Sequence, residues 1–203
     1  LDTCVQMARE QVKEGAHVLD LCVDYVGRDG TADMHELAAR FATQVPLPLV
    51  LDSTEPPVME AGLQHSGGKA ILNSANLEDG EGPGSRFDKV MTLARDYGAA
   101  VICLAIDEEG QARTADWKFR VCKRIHDLAV ERYGMEPEDL IFDCLTFPLG
   151  AGSEDLRRDG IDQCVLRRDQ HDLRIRAMFG LRQQIGCDER GIRCGVGDHH
   201  HFR

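Results

Sequence analysis

Along the first 145 residues the hydrophobic pattern switches repeatedly between a helical and an extended period, and the switches divide the chain into elements. Residues 2–14 (DTCVQMAREQVKE) read as an amphipathic helix stopped by Gly15. Residues 17–23 (HVLDLCV) form a short apolar strand interrupted by Asp20. A helix follows over 33–44, and Pro46 and Pro48 lead into a strand at 49–51. The next helix, about 56–65, ends near Gly67 and Gly68, and 69–73 is again strand-like. A helix near 84–96 gives way at Gly98 to a strand over 99–106. The longest helix, 114–132, closes at Gly134 and Pro137 before a strand at 140–142.

Five strands alternating with five helices predict parallel βαβ units in an α/β fold. The strands are nearly continuous runs of Val, Ile, Leu and Ala, as expected when both faces are covered. Periodicity is compatible with an open sheet and with a closed barrel. The strand ends carry further information: Asp20 and Asp24 stand at the first, Asp52 at the second, Asn73 at the third, Asp107 at the fourth and Asp143 at the fifth. At the carboxyl ends of parallel strands such groups converge on one mouth if the sheet closes. Asp and Asn are also ordinary loop starters and helix caps, so any one of them alone carries little.

Composition narrows the partners. Charged residues are 29% of the chain and hydrophobic residues 42%, with a formal net charge of −11. That acidity argues against nucleic acid and anionic membrane as partners. No apolar run reaches the roughly 18 residues of a membrane span, and the first residues lack a signal-peptide pattern, so a cytoplasmic location is expected. The eight cysteines contain no Cys-x-x-Cys pair and read as reduced, with Cys22 and Cys103 as small hydrophobes inside strands. Cys187, Cys194 and His199 to His201 do not have the spacing of a zinc site. There is no Gly-x-Gly-x-x-Gly, Walker A or Gly-x-Ser-x-Gly sequence. The glycine-rich stretch 79–85 (DGEGPGS) carries Asp79 and Glu81, which would repel phosphate, and reads as a flexible turn.

Five segments in order carry a family resemblance: GAHVLDLCVDYVGRDG (15–30), PLVLDST (48–54), GGKAILNSANLEDG (67–80), YGAAVICLAIDEEGQARTADWK (97–118) and PEDLIFDCLTFPLGAG (137–152). Together they resemble the folate-binding domain of cobalamin-dependent methionine synthases, over about residues 3–160. Corrinoid methyltransferases and dihydropteroate synthases share the same barrel. The DEEGQA loop favours the methionine synthases. The resemblance implies an α/β fold, an incomplete (β/α)8 barrel with about five of eight strands. It also implies binding of 5-methyltetrahydrofolate and presentation of its N5 methyl to cob(I)alamin, then to homocysteine.

By the same resemblance Asp52, Asn73 and Asp143 anchor the pterin. Asp143 takes the amino-pyrimidinone edge, and Asp20 orients the site or makes an outer contact; for Asp24 and Asp107 loop capping stays open. The chemistry is consistent, because a carboxylate accepts two parallel hydrogen bonds from adjacent N–H and NH2 donors and an amide can donate and accept. Cobalamin would sit on a separate domain and zinc in the homocysteine-binding domain, with neither held by this chain. Those two domains and the folate are the expected partners. A dihydropteroate synthase-like pterin enzyme and a non-catalytic pterin-binding fragment are the alternatives.

Two departures from the family are expected to matter. The family's first strand, and the later strand whose asparagine would meet N5, find no counterpart, so the catalytic contact is missing and the fragment alone is expected to be inactive. An open five-strand piece would also expose two sheet edges. Residues 161–203 carry 8 Arg and no Lys and lack sustained periodicity beyond a turn or two around 172–184. They read as a tail outside the 1–160 barrel portion and as a translated frameshift.

Overall fold

The structure, a computed structural model, describes residues 1–145 together with the backbone of two tail strands. In chain order the elements are α1 (Asp2–Lys13), β1 (Leu19–Cys22), α2 (Gly30–Gln44), β2 (Leu49–Asp52), α3 (Pro56–Leu63), β3 (Ile71–Ala75) and α4 (Arg86–Tyr97). They continue with β4 (Ala100–Leu104), β5 (Ile106–Asp107), β6 (Gly110–Gln111), α5 (Ala115–Tyr133), a 3-10 turn at Pro137–Asp139, β7 (Leu140–Asp143), β8 (Gln184–Asp188) and β9 (Gly191–Cys194). The chain divides into two units: one holds Leu1–Asn73 and the tail strands, the other begins at Ser74.

In the first unit β2 pairs in parallel with β1 on one side and β3 on the other. Leu21, Leu51 and Leu72 align across the three strands and are fully buried. The α2 helix buries Met34, Leu37, Ala38 and Phe41, the i, i+3, i+4, i+7 stripe of a core-facing helix. It starts at Gly30, earlier than the pattern suggests, because the Asp29 carboxylate accepts the Ala32 N–H at 3.1 Å. Pro56 opens α3, where its missing N–H costs nothing. Gly62 lets α3 lie close on β2: a Cβ there would stand 2.7 Å from Leu51 Cδ2.

The tail contributes a strand that its composition does not predict. The backbone of β8 pairs in parallel with β1, and β9 returns antiparallel to β8. The edge of β1 that five strands alone would leave open is therefore covered. The other tail expectations, including the histidine cluster and the turn around 172–184, concern side chains and residues outside those described.

In the second unit β4 and β7 run parallel in register from Val101 opposite Leu140 to Leu104 opposite Asp143. The α4 and α5 helices begin at side-chain caps, Ser85 accepting from Asp88 N–H and Thr114 from Trp117 N–H. Each ends at a left-handed glycine, Gly98 and Gly134, where a Cβ would strain the backbone. Phe87 of α4 meets Tyr133 of α5 edge to face at 5.8 Å, and the Tyr133 hydroxyl donates to Asp88 at 2.8 Å. The expected strand over 99–106 ends at Leu104, and β5 and β6 form a small antiparallel hairpin instead. Two-residue strands around Glu108 and Glu109 leave no alternation to read.

Candidate functional site

The polar residues of the first unit gather on one face of its strands. Cys22, Asp52 and Asn73 are direct register partners on β1, β2 and β3, so their side chains leave the sheet on the same side. Asp20 lies two residues before Cys22 and shares that side, in a row with Val50 and Ile71. Asp20 is 7% exposed and Asn73 5%, and Asp52 and Cys22 are half-buried. Among the described residues, no group hydrogen-bonds the Asn73 side-chain amide.

Asp20 stands inside β1, as the 17–23 run has it, because Leu21 and Cys22 continue the ladder beyond it; one placement corrects an expected strand end. Asn73 is the middle residue of β3, since the small, buried Ser74 and Ala75 extend the strand past it. Cys22 is also not the core hydrophobe its apolar neighbours suggest. Burial pushes its thiol pKa up to about 11, with the Asp52, Asp24 and Asp20 carboxylates adding to the rise. The thiol thus sits within electrostatic reach of three carboxylates near the carboxyl ends of β1 and β2.

Asp24 is committed to the loop after β2. It accepts from the Ser53 hydroxyl at 2.6 Å, the Thr54 N–H at 2.7 Å and the Thr54 hydroxyl at 3.0 Å. Ser53 Oγ in turn accepts the Glu55 N–H at 3.0 Å. The loop-capping role left open for Asp24 is thus the one observed. A groove of about 360 Å³ opens at the opposite, amino-terminal ends of β2 and β3, lined by Phe41, Pro46, Pro48 and Lys69 among others. It contains no carboxylate and lies away from the strand ends where parallel α/β folds place their chemistry.

The second unit holds Asp143 and Asp107. Asp143 is half-buried at the end of β7, and its Oδ1 accepts the Leu145 N–H at 2.9 Å. Its backbone carbonyl takes the Ala105 N–H at 3.1 Å, and no described residue donates to its Oδ2. Asp107 accepts the Trp117 indole N–H at 2.7 Å and the Glu109 N–H at 3.0 Å, again a loop clamp. The glycine-rich loop is anchored rather than slack. Arg124 grips Glu81 at 2.7 Å and Glu108 at 2.9 Å, Arg132 donates to the Glu81 carbonyl at 2.7 Å, and Asp79 accepts the Arg86 N–H at 2.9 Å. Arg124 holds the Glu108 carboxyl down to about 2.

Of the anticipated site residues, the structure brings Asp20, Asp52 and Asn73 together in the first unit, and Asp143 belongs to the second. Pattern reading missed Cys22, which the period-2 alternation with Asp20 could have placed on the polar face. It also missed Trp117 and Lys118, whose signal is a large aromatic and a lysine in the first turn of a helix. Among the described residues no three His, Cys, Asp or Glu side chains gather as metal ligands. No helix among them is long and apolar enough to cross a membrane.

An α/β chain of parallel strands with acidic and amide groups at their carboxyl ends defines a class, and the family comparison agrees. Residues 1–173 match the pterin binding enzyme family, and the chain belongs to it. The methionine synthases of Mycobacterium tuberculosis and Mycobacterium leprae are each 52% identical to it over 159 residues. Those residues are 78% of this chain, and the chain spans 13% of the length of those relatives. The two findings bear out a partial pterin-binding domain of the methionine synthase kind. Among solved structures, a dihydropteroate synthase of Xanthomonas albilineans superposes with a TM-score of 0.60 at 18% identity, covering 94% of this chain and 65% of that one. The Yersinia pestis dihydropteroate synthase gives 0.55 at 14%, covering 93% and 67%. These likenesses establish the fold, an incomplete (β/α) barrel.

Proposed function

We propose that the chain binds 5-methyltetrahydrofolate and presents its N5 methyl group for transfer to cob(I)alamin, and onward to homocysteine, in methionine synthesis. The observation that carries this is the Asp52–Asn73 pair, registered side by side on neighbouring strands with an amide that no described residue engages, in a chain 52% identical to methionine synthases. A ring with mixed donors and acceptors on its edge suits a carboxylate beside an amide. Asp143, with Oδ2 open and a second lone pair on Oδ1 beside the Leu145 N–H, supplies the acceptors for the adjacent N–H and NH2 of the pyrimidinone edge. Asp20 is an outer contact that orients the others.

In the transfer the N5–CH3 bond breaks and N5 keeps the electron pair, so the ring nitrogen must gain a proton or a strong hydrogen bond as the methyl leaves. A cobalamin held on a separate domain supplies the nucleophile, and the homocysteine-binding domain supplies zinc. The residues of this chain position the ring and exclude water from it. The asparagine that the family resemblance puts near N5 has no counterpart in this sequence. The described residues serve binding and positioning of the ring. Residues 161–203 are read as a frameshifted tail, and the protein as cytoplasmic.

Calorimetric titration with 5-methyltetrahydrofolate tests the reading. Saturable binding weakened at least about tenfold by Asn73→Ala and by Asp143→Asn, near 1.4 kcal/mol each, is expected. No heat from a cooperatively folded chain would sink the proposal. Tight binding only to a pterin pyrophosphate would favour the dihydropteroate synthase-like alternative.

A further inference from the structure

Lys118 is the most deeply buried charged side chain described, at 1% exposure. An ammonium taken out of water is costly unless the surroundings repay it. Its place on the helix makes matters worse. It is the fourth residue of α5, where the positive end of the helix dipole disfavours a cation. The helix dipole does not account for a buried lysine here, and a tertiary contact of its ammonium is on view.

The Lys118 Nζ lies 3.5 Å from the Leu145 carbonyl oxygen. Gln111 Nε2, brought by the β5–β6 hairpin, lies 3.5 Å from the same oxygen. Leu145 is the one non-glycine residue with positive φ among those described, at +52°, a conformation that persists only when neighbours impose it. Its N–H is the donor to Asp143 Oδ1. The neighbouring Trp117 fixes Asp107 by its indole, so the first turn of α5 holds both the hairpin and the segment that follows β7.

We infer that Lys118 is a positioning residue for Asp143: its ammonium fixes the Leu145 carbonyl, and the left-handed Leu145 then directs its N–H onto one carboxylate oxygen and leaves the other for the ligand. The functional side of this rests on the pterin-anchoring reading of Asp143. The structural side does not. The partner on the ligand is an adjacent pair of N–H donors, one meeting Oδ2 and the other the remaining lone pair of Oδ1, an arrangement that rewards holding a carboxylate at one fixed angle.

The test is amide hydrogen exchange on the full chain with Lys118→Met, which keeps the apolar stem and removes the charge. Exchange at the Leu145 amide should accelerate at least about tenfold while amides in the middle of α5 are unchanged. Melting temperature should hold or rise, because a buried charge is replaced by an apolar group of similar length. Affinity for 5-methyltetrahydrofolate should nonetheless fall at least about tenfold, a divergence from stability that a purely structural role would not give. Unchanged Leu145 exchange overturns the inference, as does a loss of affinity that merely tracks a loss of stability. If Lys118→Met does not fold, Lys118→Gln reads the same amide, and failure of both to fold assigns Lys118 to core packing instead. A wild-type chain that binds no folate would refute the proposed function, while Leu145 exchange would still decide the role of Lys118.

Discussion

The two units use the same residue type at strand ends in opposite ways. In the first, Asp24 is saturated by three donors from the loop after β2, while the row of Cys22, Asp52 and Asn73 beside it keeps an amide that no described residue engages. In the second, Asp107 is saturated by Trp117 and Glu109, while Asp143 spends one oxygen on Leu145 and leaves the other open. Each unit thus pairs a clamp with a candidate anchor. What separates the two roles is residual hydrogen-bonding capacity, which a one-letter sequence does not display.

The clamps should matter to stability and little to ligand chemistry, and three experiments press on that division. The largest effect is expected from Asp24→Ala, which strips Ser53 Oγ and the Thr54 N–H and hydroxyl of their acceptor. Urea unfolding should show a loss of about 2 kcal/mol. A stable variant that has lost folate binding would instead make Asp24 an anchor and break the division. Next, Trp117→Phe deletes the indole donor to half-buried Asp107 and should cost about 1 kcal/mol by thermal melting, with folate affinity within about twofold of wild type. An affinity loss beyond that would mean the hairpin clamp belongs to the site.

The smallest effect concerns Glu108, held by Arg124 with its pKa near 2, below its ordinary 4.5. The folded state therefore favours the ionised carboxyl. Its contribution is complete above about pH 4.5 and disappears as pH falls toward 2. Because the pair is half-exposed, it is worth a few tenths of a kcal/mol. Arg124→Gln should flatten the stability curve between those pH values by that amount, and an unchanged slope would show that the pair contributes nothing.

Much of the scaffold is legible in the sequence because its signals are local. Five helical stripes, five apolar runs and the stops at Gly98 and Gly134 reproduce the elements to within a few residues. The failures have physical causes. A polar Asn73 marks the strand end in the pattern, yet the small, buried Ser74 and Ala75 continue β3 past it. The β5–β6 hairpin is too short to show a period. The pairing of β8 with β1 is a contact between residues more than 160 apart, which no window of sequence contains. Asp52, Asn73 and Asp143 were found through family resemblance, whereas Lys118 and Cys22 needed the fold to show what surrounds them.

The surroundings of Cys22 also govern its reactivity. With a pKa near 11, only about one thiol in ten thousand is ionised at neutral pH. If the proposed methyl donor binds here, Cys22 is an internal nucleophile that could divert the group onto the protein itself. Burial keeps that sulfur protonated, and the Asp52, Asp24 and Asp20 carboxylates add to the effect. The same surroundings that hold the thiol protonated protect it from alkylation, and slow labelling of native Cys22 by iodoacetamide would be the visible sign of it.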